Sequence, residues 1–175
     1  TIPKGGTITY TIQALLAADY ASSTVKNCAK IEPPASVIDD LSDNEACDTD
    51  KVLRGLKLRK VWVNAIVDDA ITVATTGLAN NASVASTSTG NNSTDGTQVF
   101  NQSGGTVTLP AETFATGSQS NYTTTVACTG ATLSGSTPGS TFTMPDNDVT
   151  CTYTNTRKSV TLQLKKTWIN AQLGD

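Results

Sequence analysis

The stretch Leu56-Lys-Leu-Arg-Lys-Val-Trp-Val-Asn-Ala-Ile-Val-Asp-Asp69 returns at 162–175 as Leu162-Gln-Leu-Lys-Lys-Thr-Trp-Ile-Asn-Ala-Gln-Leu-Gly-Asp175. Leu56, Leu58, Lys60, Trp62, Asn64, Ala65 and Asp69 match Leu162, Leu164, Lys166, Trp168, Asn170, Ala171 and Asp175. Both tryptophans of the chain occupy the same place in the repeat. Self-similarity at such a spacing marks the start of successive modules. It predicts one complete module over 55–160, a partial one at 1–54 before it, and the first strand of a following repeat, or a donor strand, at 161–175. Within the repeat, Leu56, Leu58, Lys60 and Trp62 alternate with Lys57, Arg59, Val61 and Val63, which is the period of a strand.

The surrounding sequence suits β-structure. Charged residues make up 15% and aromatics 5% of 175 residues, and Thr, Ser, Asn and Gly fill much of the remainder. Thr favours a half-exposed pleated face. Strands are expected at Thr7–Ala14, Ser22–Ile31 and near Ala46. Further strands are expected at Thr106–Leu109, Tyr122–Cys128 and Val149–Asn155, with weak strands and exposed turns over 79–105. Short strands separated by Gly/Ser turns predict an all-β chain of antiparallel β-sandwich modules in tandem.

Several function classes lose their support at once. A net charge of −3 gives no reason to expect nucleic acid as a partner. No apolar run is long enough for a membrane span. The chain has no His, so a Ser-His-Asp or Cys-His arrangement cannot be built. No Gly-rich phosphate loop is visible, and no cofactor is implied. The reading is therefore non-enzymatic. Thr1 in place of an initiator Met suggests a segment of, or a product processed from, a longer precursor.

Four cysteines fall as two local pairs, Cys28 with Cys47 and Cys128 with Cys151. In a His-free, Thr-rich β chain this predicts two disulfides, each closing about 20 residues and contributing on the order of 3 kcal/mol. Disulfides imply an oxidising compartment outside the cytosol. Asp39, Asp40, Asp43, Glu45, Asp48 and Asp50 crowd one acidic stretch. Carboxylates are calcium ligands, but this spacing fits no EF-hand loop. A solvated acidic turn is the preferred reading, with no metal assigned.

One specific chemistry emerges from strand faces. Lys60 shares a face with Leu56, Leu58 and Trp62, and Asn155 shares one with Cys151 and Tyr153. If both faces point inward, amine and amide meet in the core. Desolvation strips a buried Lys of its proton, and a neutral amine is a nucleophile. Attack on the Asn155 amide carbon forms an isopeptide bond and releases ammonia, with Glu112 as the carboxyl that polarises the carbonyl. The bland alternative has Lys60 snorkelling at a strand end and Asn155 bonded to backbone.

Lys60-Val-Trp62, Val107-Thr-Leu-Pro-Ala-Glu112 and Tyr153-Thr-Asn155-Thr together resemble the prealbumin-like, collagen-adhesin B-type repeats of bacterial surface proteins and pili. In that family a Lys-x-Trp first strand faces an Asn in the last strand, with a Glu between. Two departures stand out. Pro110 lengthens the run before Glu112, and the Cys128–Cys151 pair is additional. Residues 1–54 resemble the C-terminal half of an Ig-like conserved-repeat domain of large bacterial surface proteins. The resemblance rests on Ile2-Pro-Lys-Gly-Gly-Thr-Ile-Thr-Tyr-Thr-Ile12, Val25-Lys-Asn-Cys-Ala-Lys-Ile-Glu-Pro-Pro34 and Asp43-Asn-Glu-Ala-Cys-Asp-Thr-Asp50. These resemblances imply a structural part of an extracellular stalk or filament on a bacterial cell surface. Its partners would be adjacent repeats of the same chain or further copies. Leu162, Leu164, Lys166 and Trp168 would serve as the assembly strand, added to an open sheet. The competing expectation is an adhesin module holding a glycan or host protein through the polar loops of 79–105.

Overall fold

A computed structural model describes residues 6–17, 20–36, 38, 40–169 and 172. Asp39, the Ile2–Gly5 part of the first motif, and Asn170, Ala171 and Asp175 of the repeat lie outside the described residues. The chain is mostly β, and among the described residues its only helical pieces are two 3-10 turns, Leu41–Asp43 and Gln119–Asn121. It divides into two compact units, residues 1–52 and 53–175.

The first unit is built on one hairpin. Strand β1 (Thr24–Lys30) pairs antiparallel with β2 (Glu45–Lys51), and Cys28 stands directly opposite Cys47, where the two form a disulfide. The acidic stretch is thus less loop than its composition suggests, since Glu45, Asp48 and Asp50 lie on β2. Asp40 caps the 3-10 turn by accepting from the Ser42 backbone N–H. Hydrogen bonding from the Ser42 side chain, and then from its backbone N–H, holds the Asp40 carboxyl below the usual carboxylate range. Thr7–Ala14 differs from expectation. It has the alternation of a strand but pairs with no strand among the described residues, and Ile8, Tyr10 and Ile12 are exposed. Alternation prepares a face, but a strand exists only where a neighbouring edge supplies its hydrogen bonds.

The second unit is organised on β3 (Arg54–Val63). Its alternation holds throughout, with Leu56, Leu58, Lys60 and Trp62 all buried. Along one edge β3 runs parallel to β12 (Val149–Arg157), which pairs antiparallel on its far side with β10 (Tyr122–Thr129). The other edge of β3 is shared by β6 (Asn92–Asp95) and β7 (Val99–Asn101). Between those two pieces Gly96 donates to the Leu58 carbonyl at 2.8 Å. A Cβ at Gly96 would sit 2.0 Å from the Ser83 carbonyl oxygen, so the close approach excludes any side chain. A separate sheet has the order β5 (Ser83–Thr87), β4 (Ala70–Ala74), β9 (Thr113–Thr116), and β8 (Thr106–Thr108) pairs with β11 (Thr141–Thr143).

One apolar cluster gathers the inward residues of these sheets. It includes Leu58, Trp62, Ile71, Val73, Val84, Val107, Val126 and Tyr153. Trp62 meets Phe114 and Tyr122 edge-on, at centroid distances of 6.3 and 5.5 Å, and its indole N–H donates to Ser86 Oγ. The polar end of the ring therefore has a partner within the core. Cys128 and Cys151 stand opposite one another on β10 and β12 and form the second disulfide.

The repeated residues after the strand have a structural reason. Asn64 adopts a left-handed φ of 51°, a conformation that Asn tolerates better than most residues. Ala65 is buried beyond it. Asp69 is buried too, and accepts from the Tyr122 hydroxyl at 2.5 Å, which itself accepts from the Ile66 N–H. Trp-x-Asn-Ala-x-x-x-Asp is thus a strand, a tight turn and an anchor. Burial and the bond to Asp69 push the Tyr122 hydroxyl above its ordinary pKa.

Candidate functional site

Three polar side chains converge inside the second unit. Lys60 comes from the middle of β3, Asn155 from β12, and Glu112 from the segment between β8 and β9. Lys60 and Asn155 have no exposed surface, and the side chain of Glu112 is equally enclosed. In the parallel register Lys60 stands beside Tyr153, and Asn155 beside Trp62. Lys60 Nζ lies 4.4 Å from the centre of the Trp62 ring. The lysine therefore leans along its strand toward the row that Asn155 occupies.

Lys60 Nζ is 2.8 Å from Glu112 Oε1. That is ion-pair distance, but the angles are not those of a hydrogen bond. Among the described residues, Nζ, both Glu112 oxygens and Asn155 Nδ2 have no hydrogen-bond partner. Each unmade hydrogen bond of a buried polar group costs about 1–3 kcal/mol, so a cluster of them asks for an explanation. Burial draws the Lys60 pKa down to about 8, against the opposing pull of the Glu112 carboxylate. Near neutral pH a minor fraction of the amine is therefore neutral, far more than for an ordinary lysine, with its lone pair available.

Asn155 is held by its carbonyl end only. Thr124, directly opposite on β10, donates its hydroxyl to Asn155 Oδ1 at 2.6 Å. The Thr124 oxygen accepts from Gln119 Nε2, also at 2.6 Å. Pro110 lengthens the run before Glu112, yet the glutamate still reaches Lys60. The Pro110 carbonyl accepts from the Tyr153 hydroxyl, which fixes the segment just ahead of the glutamate. Burial and the nearby Glu112 carboxylate both push the Tyr153 pKa up, so the hydroxyl remains a donor.

Thr124 and Gln119 are not visible as site residues in the sequence. Thr124 is one of a Thr-Thr-Thr run, and only the β10–β12 register selects it.

The residues of the proposed assembly strand are placed differently. Leu162, Leu164 and Trp168 are 81%, 87% and 54% exposed, whereas their counterparts Leu56, Leu58 and Trp62 are at 0%, 0% and 1%. Residues 158–168 form no strand. Lys166 Nζ rests 3.2 Å over the Trp168 ring, a cation–π contact. In the loops of 79–105, the Asn101 side chain accepts from the Asn80 backbone N–H and donates to the Asn80 carbonyl, and Phe100 is exposed. Cys28, Glu45 and Cys47 lie close together, but both sulfurs are committed to the disulfide.

Comparisons against protein families, curated proteins and solved structures return no match.

Proposed function

We propose that this chain is a structural segment of a bacterial extracellular stalk or filament, made of tandem β-domains locked by disulfides and by a Lys60–Asn155 isopeptide bond. In this reading residues 55–160 form a prealbumin-like β-sandwich, and residues 1–54 are part of an Ig-like one. The observation that carries it is the sealed cluster of Lys60, Glu112 and Asn155, in which Lys60 Nζ, both Glu112 oxygens and Asn155 Nδ2 make no hydrogen bond among the described residues. Left unreacted, the cluster burdens the fold. Condensation replaces an amine and a primary amide with one secondary amide and expels ammonia, which removes Nδ2 altogether. The atoms balance: one C–N bond forms between Lys60 Nζ and Asn155 Cγ, and one breaks between Cγ and Nδ2. Glu112 takes a proton from the attacking nitrogen and returns one to the leaving nitrogen.

Such a bond makes sense in a protein under tension or proteolysis rather than in a catalyst. The two disulfides are consistent with the same oxidising surroundings. The exposed apolar alternation at Leu162, Leu164 and Trp168 supports assembly by strand addition. It repeats residues that are fully covered where β3 has neighbours on both edges. The partner would be an adjacent repeat or another copy.

Intact mass tests the cross-link. The folded chain, after allowance for two disulfides, should be lighter than its sequence by one ammonia. Digestion should yield a branched peptide joining the Lys60 and Asn155 segments, which separates the bond from cyclisation of an asparagine elsewhere. Lys60→Ala should restore the full mass. A folded wild-type chain of full mass sinks the proposal.

A further inference from the structure

We infer that Thr124 is a catalytic residue of this condensation, with its hydroxyl serving as the oxyanion donor for the Asn155 carbonyl, and that Gln119 positions it. The inference rests on the cross-link reading and deepens it.

When Lys60 Nζ attacks Cγ, the carbonyl electron pair moves onto Oδ1, which becomes an oxyanion in the tetrahedral intermediate. A donor already aimed at that oxygen stabilises the intermediate more than the ground state and needs no rearrangement. Glu112 is set against the amine, 2.8 Å from Nζ, and no hydrogen bond links it to Asn155. The hydroxyl of Thr124, at 2.6 Å from Oδ1 in a site closed to water, takes the carbonyl-polarising role that the sequence alone assigns to Glu112. Its placement is set by backbone, since Thr124 and Asn155 are direct partners across β10 and β12. Gln119, in the 3-10 turn before β10, donates to the Thr124 oxygen. That bond occupies a lone pair and leaves the hydroxyl proton to point at Oδ1. It also polarises the O–H, as successive hydrogen bonds in a chain do. The division of labour is then complete: Glu112 moves protons at nitrogen, and Thr124 holds charge at oxygen. On collapse the pair returns from Oδ1 to the carbonyl and Nδ2 departs as ammonia.

The test follows the full chain in time. It is synthesised in a short pulse, sampled into acid at intervals, and weighed intact to follow the loss of ammonia. Thr124→Val keeps the shape and removes the hydroxyl, and should slow the reaction about 100-fold, the lower range for an oxyanion donor. Thr124→Ser keeps the hydroxyl and should run within a few-fold of wild type. Gln119 is exposed, so Gln119→Leu spares the core. It should slow the reaction less, and should add nothing in a Thr124→Val background, because it acts only through that hydroxyl. A wild-type rate in Thr124→Val overturns the inference, as does a Thr124→Ser rate as slow as that of Thr124→Val. If Thr124→Val fails to resist protease as a folded chain, Gln119→Leu decides, and an unchanged rate there is fatal. No ammonia loss from the wild type removes the cross-link itself, and this inference with it. Loss at equal rates in wild type and Thr124→Val removes the inference alone.

Discussion

A lysine buried beside a carboxylate has a pH signature that an exposed one lacks. With Asn155→Ala the amine has nothing to attack and remains titratable. Its folded pKa is drawn to about 8 from an ordinary 10.5. Below pH 8 both folded and unfolded chains hold the proton, and the full cost of enclosing an ammonium is felt. Between pH 8 and 10.5 the unfolded chain binds the proton and the folded one does not, so stability rises with pH. The total is about 3 kcal/mol, at 1.36 kcal/mol per unit. Tyr122 and Tyr153 act in the opposite sense at the upper end. Their folded pKa values are raised, so their contribution falls as pH climbs past 10. Urea midpoints of Asn155→Ala should therefore climb from pH 7.5 to about 9.5 and then turn over. A flat profile would mean that Lys60 reaches water. The anchor at Asp69 allows a second residue-level prediction. Tyr122→Phe removes the hydroxyl that donates to Asp69 and accepts from the Ile66 N–H. It leaves a buried carboxylate and an amide without that partner, so denaturant unfolding should show a loss of about 2–3 kcal/mol.

At the scale of elements, β12 is the strand to which everything is tied. It pairs with β3 on one side and β10 on the other. The disulfide joins it to β10 at Cys151, and the proposed amide joins it to β3 at Asn155. The two disulfides differ in their surroundings, although each spans a directly opposed strand pair. Cys151 is sealed in the core, whereas Cys28 and Cys47 are both exposed on the β1–β2 hairpin. Thiol exchange needs access to a sulfur. Under a mild reductant without denaturant, alkylation mapped by mass should label Cys28 and Cys47 well before Cys128 and Cys151. Simultaneous labelling would show that the second unit opens as readily as the hairpin. Strands such as β3, β10 and β12 were legible in the sequence because large apolar residues alternate over enough positions to define a face. β4, β9 and β11 were not, because they are short, rich in Thr and Ala, and take their pairing from distant edges. For the site, alternation placed Lys60 and Asn155 on the same faces as apolar neighbours, and burial of both is what the structure adds. Alternation could not show that β12 lies beside β3 or that Thr124 faces Asn155, since register between remote strands is set by the assembled sheet. Thr7–Ala14 is the converse case, a legible face with no edge to join among the described residues.

The scale of the whole molecule matters because β3 and β12 are parallel and lie near the two ends of the second unit. Tension applied at Leu53 and at Lys158 enters β3 at Arg54 and leaves β12 at Arg157. Without a cross-link, that tension shears the two strands and then draws out the chain between them. With Lys60 Nζ bonded to Asn155 Cγ, the load passes along 54–60, crosses the amide and continues along 155–157. Residues 61–154 lie off the path, including the Cys128–Cys151 disulfide, which then serves folding stability and carries no tension. A stretched chain lengthens by at most about 3.3–3.6 Å per residue, so roughly 300 Å of extension is withheld. Single-molecule pulling between handles at Leu53 and Lys158 should show no unfolding step from the wild type at forces that break β-sheets. Lys60→Ala should release the stretch in one event, shortened by the loop that the disulfide keeps closed. Adding reductant after that event, when the sulfurs are exposed, should release the remainder. An unfolding step of full length from the wild type would place 61–154 back on the load path, which an intact Lys60–Asn155 bond does not allow.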